Sequence, residues 1–455
     1  MFKFLSVGAA AAAVILSGAS AAFAGTGMDL KFDRHVYHVA ACAMGNAPGT
    51  ARCHARVVTD NKGNFQAKPR SKTASGATFY VPSELRAAYN ITGALPSVGG
   101  GTGAPVIAIV DAYGYTAAAA DLATYRSQYG LGACTVASGC LTIVNQTGGT
   151  KLPTATGSTP QGWDVEQALD LDMASAMCPQ CNIVLVQANS ASFSDLATAA
   201  NYAASIKNVV AVSNSYGGAE TGSNSSSSCA TLAGQTTVGC EPYYNHPGIA
   251  VTVSSGDQGY AAGPQFPASS PHVIAVGGTT LTYTGAAGRG YTEAAWADAG
   301  SGCSTLYGKL TVNSTVLQNS TIDPFCANRT IADVSAVADP NTGVAVYLGA
   351  FAAGSKGRNG TAGFYIVGGT SAAAPLVAGI YGYAKATGAV TAAPNGASTI
   401  YASASATTGA SPNLNDVATG TNGGTAGCGG TAICTARAGY DGPTGLGTPN
   451  GPLPF

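Results

Sequence analysis

The chain has 455 residues, of which 9% are charged, 46% are apolar and 62 are glycine, and its formal net charge is −1. Charge this sparse excludes a disordered tail protein and a coiled coil, and the near-zero balance leaves no whole-chain electrostatic footprint for nucleic acid. What remains is a chain long enough to bury a large core and rich in turn residues.

The first 24 residues read as an export signal. Lys3 supplies the basic start, Val7–Leu16 the apolar run, and Ala22-Phe23-Ala24 a small-x-small cleavage site. No later stretch reaches the ~18–20 continuous apolar residues that a spanning helix needs. The expectation is therefore a secreted protein with no membrane attachment after signal removal. The 12 cysteines fall into six neighbouring couples: Cys42 with Cys53, Cys134 with Cys140, Cys178 with Cys181, Cys229 with Cys240, Cys303 with Cys326, and Cys428 with Cys434. An even count, close spacing and an export signal favour local disulfides. Cys178-Pro-Gln-Cys181, taken alone, also has the spacing of a redox or zinc motif.

Residues 25–75 hold eight Lys/Arg against three Asp, whereas residues 76–455 carry a net charge of about −7. A basic leader before an acidic body reads as a short pro-segment that docks electrostatically, with a solvated linker as the alternative. Residues 66–75 lack periodicity and read as the joint to a single domain over 76–455.

From Pro105 the pattern alternates between strand and helix. Strands are expected at Pro105–Val110, Leu141–Asn145, Asn182–Gln187, Val209–Ser213, Ile249–Ser254 and Val273–Val276, and helices at Thr116–Tyr129, Asp164–Met177 and Phe193–Ile206. Short apolar strands separated by helices indicate an α/β fold with a mainly parallel sheet covered on both faces. The C-terminal ends of such strands share one rim, where sites form. Residues 301–345 and 386–436 are rich in Gly, Ser, Thr and Asn and read as irregular excursions.

Gly368-Gly369-Thr370-Ser371-Ala372-Ala373-Ala374-Pro375 is the sharpest feature. Glycines permit a tight turn, and a Ser opening a helix sits among free backbone N–H groups at the positive end of the dipole. An N-cap alone needs neither the Gly pair nor the small residues and Pro that follow. A nucleophilic Ser needs a base. His35, His38 and His54 fall in the leader, and only His246 and His272 remain in the body. Glu166 and Asp170 offer a carboxylate base instead, since i and i+4 share one helix face. Ser254-Ser255-Gly256-Asp257, after a strand, puts a carboxyl at the sheet rim; alone it also reads as a turn Asp.

In this order, Glu-x-x-x-Asp, Ser-Gly-Asp and Gly-Thr-Ser-x-x-x-Pro resemble the sedolisin family of serine-carboxyl peptidases. Residues 266–280 and 439–449 add to the resemblance, which covers roughly 80–455. It implies a subtilisin-like three-layer sandwich, with Ser371 as nucleophile, Glu166 as general base, Asp170 as its orienting partner and Asp257 as oxyanion donor. It also implies one calcium ion held by Asp416 and Asp441 with the carbonyls of Val417, Arg437 and Gly439, although the family usually has Gly where Arg437 stands. Tyr216 replaces a frequent Trp beside the catalytic carboxyls. Asp111 replaces a frequent Glu and is expected in the surrounding network. The leader is much shorter than the family's folded pro-domain.

The expected function is an acid-active, monomeric peptidase acting on proteins or peptides, because Asp257 must be protonated to donate while an imidazole base would be charged in acid. The alternatives are a catalytically inactive binding protein on a peptidase scaffold and a hydrolase using His246 or His272.

Overall fold

A computed structural model describes residues 29–33, 35–42, 48–65, 79–93, 103–154, 162–220, 229–230, 232, 239–349, 361–389, 393–405, 409–424 and 427–455. The expected signal and the joint at 66–75 lie outside these residues.

The central sheet is built from the apolar runs of the sequence: β5 (Val106–Ala112), β6 (Leu141–Asn145), β7 (Asn182–Ala188), β8 (Val209–Asn214), β10 (Ala250–Ser254) and β12 (Ile274–Tyr283). Their order is β12-β10-β8-β5-β7-β6, parallel throughout, with β13 (Tyr291–Ala295) antiparallel on the outer edge of β12. Each residue of β5 is buried, as a strand covered on both faces requires. Helices α2 (Ala118–Tyr129), α3 (Trp163–Met177) and α4 (Phe193–Ala204) lie between successive strands, and the short α1 (Pro82–Ala88) packs against α3. The helix α5 (Thr370–Thr387) packs beside α3 on β8 and β10, while α4 covers β5, β7 and β8, giving the expected three-layer α/β sandwich.

Two expectations are corrected. Residues 301–345 are not merely irregular: β14 (Val334–Val337) joins the central sheet parallel to β12, and β15 (Val344–Leu348) begins within that range. Arg329 fixes the entry to β14 by pairing with Asp333 at 2.5 Å through two nitrogens, and Asp333 in turn accepts from Ala275 N.

The described strands of the leader pack against the body, unlike the solvated linker that was the alternative reading. Strands β1 (Leu30–Asp33), β2 (Val36–Ala40) and β4 (Arg56–Thr59) extend an antiparallel sheet through β16 (Gly363–Gly368) to β15. A shorter strand, β3 (Arg52–Cys53), pairs with β9 (Tyr216–Ala219), whose other edge holds β11 (Gln265–Phe266). Val39, Ala55, Val57 and Phe65 belong to the same continuous core as the body. Arg56 is fully buried, with Nε on His38 Nδ1 at 2.9 Å and Nη2 on Asp29 at 3.2 Å.

All six expected cysteine couples are disulfides. Cys42 is bonded to Cys53, Cys134 to Cys140, Cys178 to Cys181, Cys229 to Cys240, Cys303 to Cys326, and Cys428 to Cys434. The CxxC segment is thus a cross-link in this structure, not a redox or zinc motif with free thiols. Among the described residues no helix is long and apolar enough to cross a membrane.

Close packing of α3 on α5 sets the spacing of the rim. A methyl group at Gly379 of α5 would sit 2.7 Å from Met177 Cβ and 3.2 Å from Ala174 O, both on α3. Gly379→Ala should therefore destabilise: overpacking costs about 1–3 kcal/mol, more than the ~1 kcal/mol that Ala gains in helix propensity. A thermal melt of Gly379→Ala should show a lowered Tm, and an unchanged or higher Tm would contradict this packing.

Candidate active site

The rim gathers the C-terminal ends of β5, β8 and β10, the buried helix α3 and the start of α5. Gly369 has φ +97°, a conformation suited to glycine, and the turn it makes launches α5 from the end of β16. Pro375 lies four residues after Ser371 and has no N–H, so the Ser371 carbonyl lacks its usual helical donor. Ser215 Oγ lies 3.4 Å from that carbonyl and donates to Asp170 Oδ1 at 2.9 Å. The Pro in the motif thus frees a group that links the serine's backbone to α3.

Glu166 and Asp170 are fully buried, which excludes the solvated acidic face that i,i+4 acids usually form. Burial, then the Asp111 charge, raises the pKa of Glu166 well above its ordinary range; the Ser371 hydroxyl and the Ala55 N–H pull it back. Asp170 is raised by burial, then by Asp111 and Glu166, and two buried acids that interact in this way favour a shared proton. Asp111, at the end of β5, is buried with neither oxygen hydrogen-bonded among the described residues, and burial raises its pKa well above the ordinary carboxylate range.

Asp257 is held beside Thr370, the residue that precedes the serine. Its Oδ1 accepts from Thr370 N at 2.8 Å and Thr370 Oγ1 at 2.9 Å, while the buried Oδ2 has no hydrogen-bond partner among the described residues. Burial raises its pKa to about 6, against the lowering effect of Arg56, Thr370 and Arg52. Tyr216 is buried on β9, donates to Asn214 Oδ1 at 2.8 Å and has its ring 6.2 Å from that of Trp163, the first residue of α3.

His54 corrects the sequence reading, which set it aside with the leader. Its backbone N–H donates to Ser371 Oγ at 3.0 Å, and the next residue, Ala55, donates its N–H to Glu166 Oε2 at 2.9 Å. The His54 imidazole is not placed as a base: its nitrogens bond Ser254 Oγ and Gln265 Oε1, and burial and Arg52 lower its pKa to about 3. The two body histidines are engaged elsewhere, His246 on Tyr243 O and His272 on Glu241. Sequence reasoning also missed Ser215 and Gln265, polar residues with no motif spacing to mark them, and it gave Thr370, although inside the Gly-Gly-Thr-Ser motif, no role of its own.

The segments expected to hold calcium do meet. Gly439 N donates to both oxygens of Asp416, and Arg437 N and Thr444 donate to Asp441. Burial, then the charge of Asp416, raises the pKa of Asp441. Neither acid has a cationic side-chain partner among the described residues, because the Arg437 guanidinium turns away to Tyr440 O and the Phe325 ring. Two neighbouring carboxylates without a cationic partner among the described residues, with main-chain carbonyls in the same segments, are the donor types that a hard, oxygen-seeking cation takes.

Burying protonated acids links stability to pH. For Asp257 the folded pKa of about 6 exceeds the ordinary 3.8. The folded state therefore holds more protons between these values, and stability falls as pH rises through that window, by about 3 kcal/mol for this group alone. Glu166, Asp170 and Asp111 shift in the same direction. The Tm should fall from pH 4 to pH 7, and Asp111→Asn should lessen that fall. Melts showing a Tm that rises across this range would contradict it.

Residues 114–420 match the subtilase family. Among curated proteins, kumamolisin from Bacillus sp. (strain MN-32) is 30% identical over 346 residues, which is 72% of this chain and 56% of that protein, so the chain spans just over half the length of this relative. Among solved structures, Pseudomonas sedolisin, a serine-carboxyl proteinase complexed with two molecules of pseudo-iodotyrostatin, superposes with a TM-score of 0.61 at 23% identity. That match covers 82% of this chain and 96% of the other, and it speaks for the fold. The chain belongs to the subtilase family, in agreement with the sedolisin resemblance read from its motifs.

Proposed function

We propose that the protein is a secreted, acid-active serine-carboxyl peptidase that hydrolyses proteins or peptides as a monomer. The observation that carries this reading is the convergence of Ser371, Glu166, Asp170 and Asp257 in one buried cluster, with both ring nitrogens of the nearest histidine committed elsewhere. In the proposed cycle the Ser371 hydroxyl passes its proton to Glu166 as Oγ bonds to the substrate carbonyl carbon. Asp170 shares a proton with Glu166 and holds it in place. The carbonyl oxygen gathers charge beside Asp257, whose free Oδ2 donates when protonated. Collapse of the intermediate sends the electron pair to the leaving nitrogen, which takes the proton from Glu166, and water then cleaves the acyl ester.

The pH dependence follows from the proton count. Asp257 must keep its proton, so activity fades as pH rises through about 6. In strong acid the Glu166–Asp170 pair becomes fully protonated and can no longer accept, so the profile falls there as well. Ser371→Ala and Glu166→Ala should each lower kcat on denatured protein by about 10³-fold or more. Asp257→Ala should cost about 10²–10³-fold. Asp257→Asn, whose amide donates at any pH, should move the alkaline limb upward. Assays from pH 3 to pH 8 check this; full activity in Glu166→Ala, or an optimum at pH 8, would contradict it. An inactive binding scaffold would show no Ser371-dependent hydrolysis at any pH.

Calcium is proposed to sit at Asp416 and Asp441 with the carbonyls of Val417, Arg437 and Gly439, where it would neutralise two acids and tie the C-terminal loops together. Saturating Ca²⁺ should raise the Tm, since ligand at 100-fold over Kd adds about 2.7 kcal/mol. A chelator should reverse the gain, and Asp441→Asn should abolish it. A Tm indifferent to both would refute the site.

A further inference from the structure

Asp257 follows β10 (Ala250–Ser254) on a turn that has little stiffness of its own. Gly256 has φ +118° and Gly259 φ +69°, so residues of wide backbone freedom stand on both sides of the acid. Thr370 holds Oδ1, but the place of the free Oδ2 depends on where the backbone of 256–260 lies. Two strips of chain from elsewhere set it. The first is the segment 296–301, which follows β13 (Tyr291–Ala295). It donates from Gly300 N to Gly256 O at 2.7 Å and accepts at Asp298 O from Gly259 N at 2.8 Å. The contact is tight: a methyl at Gly300 would lie 2.2 Å from Ser255 O and 3.1 Å from Gly256 Cα.

Asn422 belongs to the second strip and reaches both parts of this clamp. Its carbonyl accepts from Tyr260 N at 2.9 Å, at the end of the Asp257 turn. Its Nδ2 donates to Ala299 O at 2.7 Å and to Ser301 Oγ at 2.8 Å, the residues on either side of Gly300. Ser301 gives its own proton to Ile433 O, so both atoms facing Nδ2 are acceptors and only a donor satisfies them. Asn422 is 1% exposed, and losing its amide would leave those acceptors buried without a partner. The strip is anchored in turn, since Asn422 N donates to Cys434 O, Ala436 N to Gly420 O and Ala295 N to Thr419 O. The charged groups around Asp257 are Arg56 and Arg52 of the leader and Glu166 of α3, and on the clamp Asp298 pairs with Lys31 at 3.0 Å. Asn422 adds no charge to this set, so it acts on Asp257 through place and burial.

We propose that Asn422 is a positioning residue for the reaction: by tying the segment 296–301 to the end of the Asp257 turn, it sets where Oδ2 stands against the substrate carbonyl oxygen and keeps water from the carboxyl. The proposal rests on the serine-carboxyl reading above. A group displaced by about 1 Å loses on the order of 10²-fold in rate, so a slack turn would be felt in the chemical step.

The test is the variant Asn422→Leu, close in size and without a donor, with Ser301→Ala as a milder loss of one of the two bonds. Assayed on denatured protein from pH 3 to pH 8, Asn422→Leu should lower kcat by about 10-fold or more and change KM by less than about twofold. Burial is what raises the pKa of Asp257, so its ¹³C carboxyl titration and the alkaline limb of kcat should both move down by about one pH unit. Ser301→Ala should move both the same way by less. In an Asp257→Asn background neither substitution should move the limb. An Asn422 that serves the fold alone would lower the Tm and leave the limb and the Asp257 titration in place; that result would overturn the proposal, as would a limb shift that persists with Asp257→Asn. If Asn422→Leu does not fold, Ser301→Ala decides by the same outcomes. Either contrary result leaves the peptidase reading standing, whereas a native chain without Ser371-dependent hydrolysis would overturn both.

Discussion

Four carboxyl groups, Asp111, Glu166, Asp170 and Asp257, are buried around one serine, and they cannot all be charged there. The nearby cations that act on Asp257 are Arg56 and Arg52, and both belong to the leader strands rather than to the body. The rest of the site follows from this constraint. Burial shifts all four acids toward their protonated forms, and under the proposed function the working range of the site would be set by how many protons it keeps. The cluster also costs stability, because each raised carboxyl weakens the fold as the pH climbs.

The scaffold meets that demand through short, close contacts rather than through ion pairs. Gly379 lets α5 approach α3, Pro375 frees the Ser371 carbonyl, and Gly369 turns the chain so that Thr370 can hold one oxygen of Asp257 and leave the other free. Ser215 joins the two halves, since it touches Asp170 through its hydroxyl and accepts from Ser371 Oγ at 3.2 Å through its carbonyl. The same carbonyl accepts from the leader at His54. The contacts within the candidate site and those that hold the leader strand thus share one carbonyl.

Much of this was legible in the sequence where the signal is local. The Gly-Gly-Thr-Ser turn, the i,i+4 acids of α3 and the apolar runs of the sheet each announce themselves within a few residues, and each lies where its pattern places it. His54 was not legible. It meets Ser371 across 317 positions, and nothing in Arg52-Cys53-His54-Ala55-Arg56 distinguishes a cleft-filling strand from basic leader. The strands within 301–345 escaped for a related reason. Val334–Val337 and Val344–Leu348 are short, sit among glycine-rich turns and gain their identity only from neighbours in the sheet. Asp257, readable as a turn residue, takes its meaning from burial and from Thr370.

The central claim is that protons reside on the buried acids at pH values where ordinary carboxyls have lost theirs. The most direct measurement is a ¹³C NMR titration of the side-chain carboxyls from pH 3 to pH 8, assigned through Glu166→Gln and Asp257→Asn. The account predicts resonances for Glu166 and Asp170 that move together in two steps, with protonated carboxyl signal persisting at pH 6. Independent titrations of all four acids near pH 4, complete by pH 5, would contradict it.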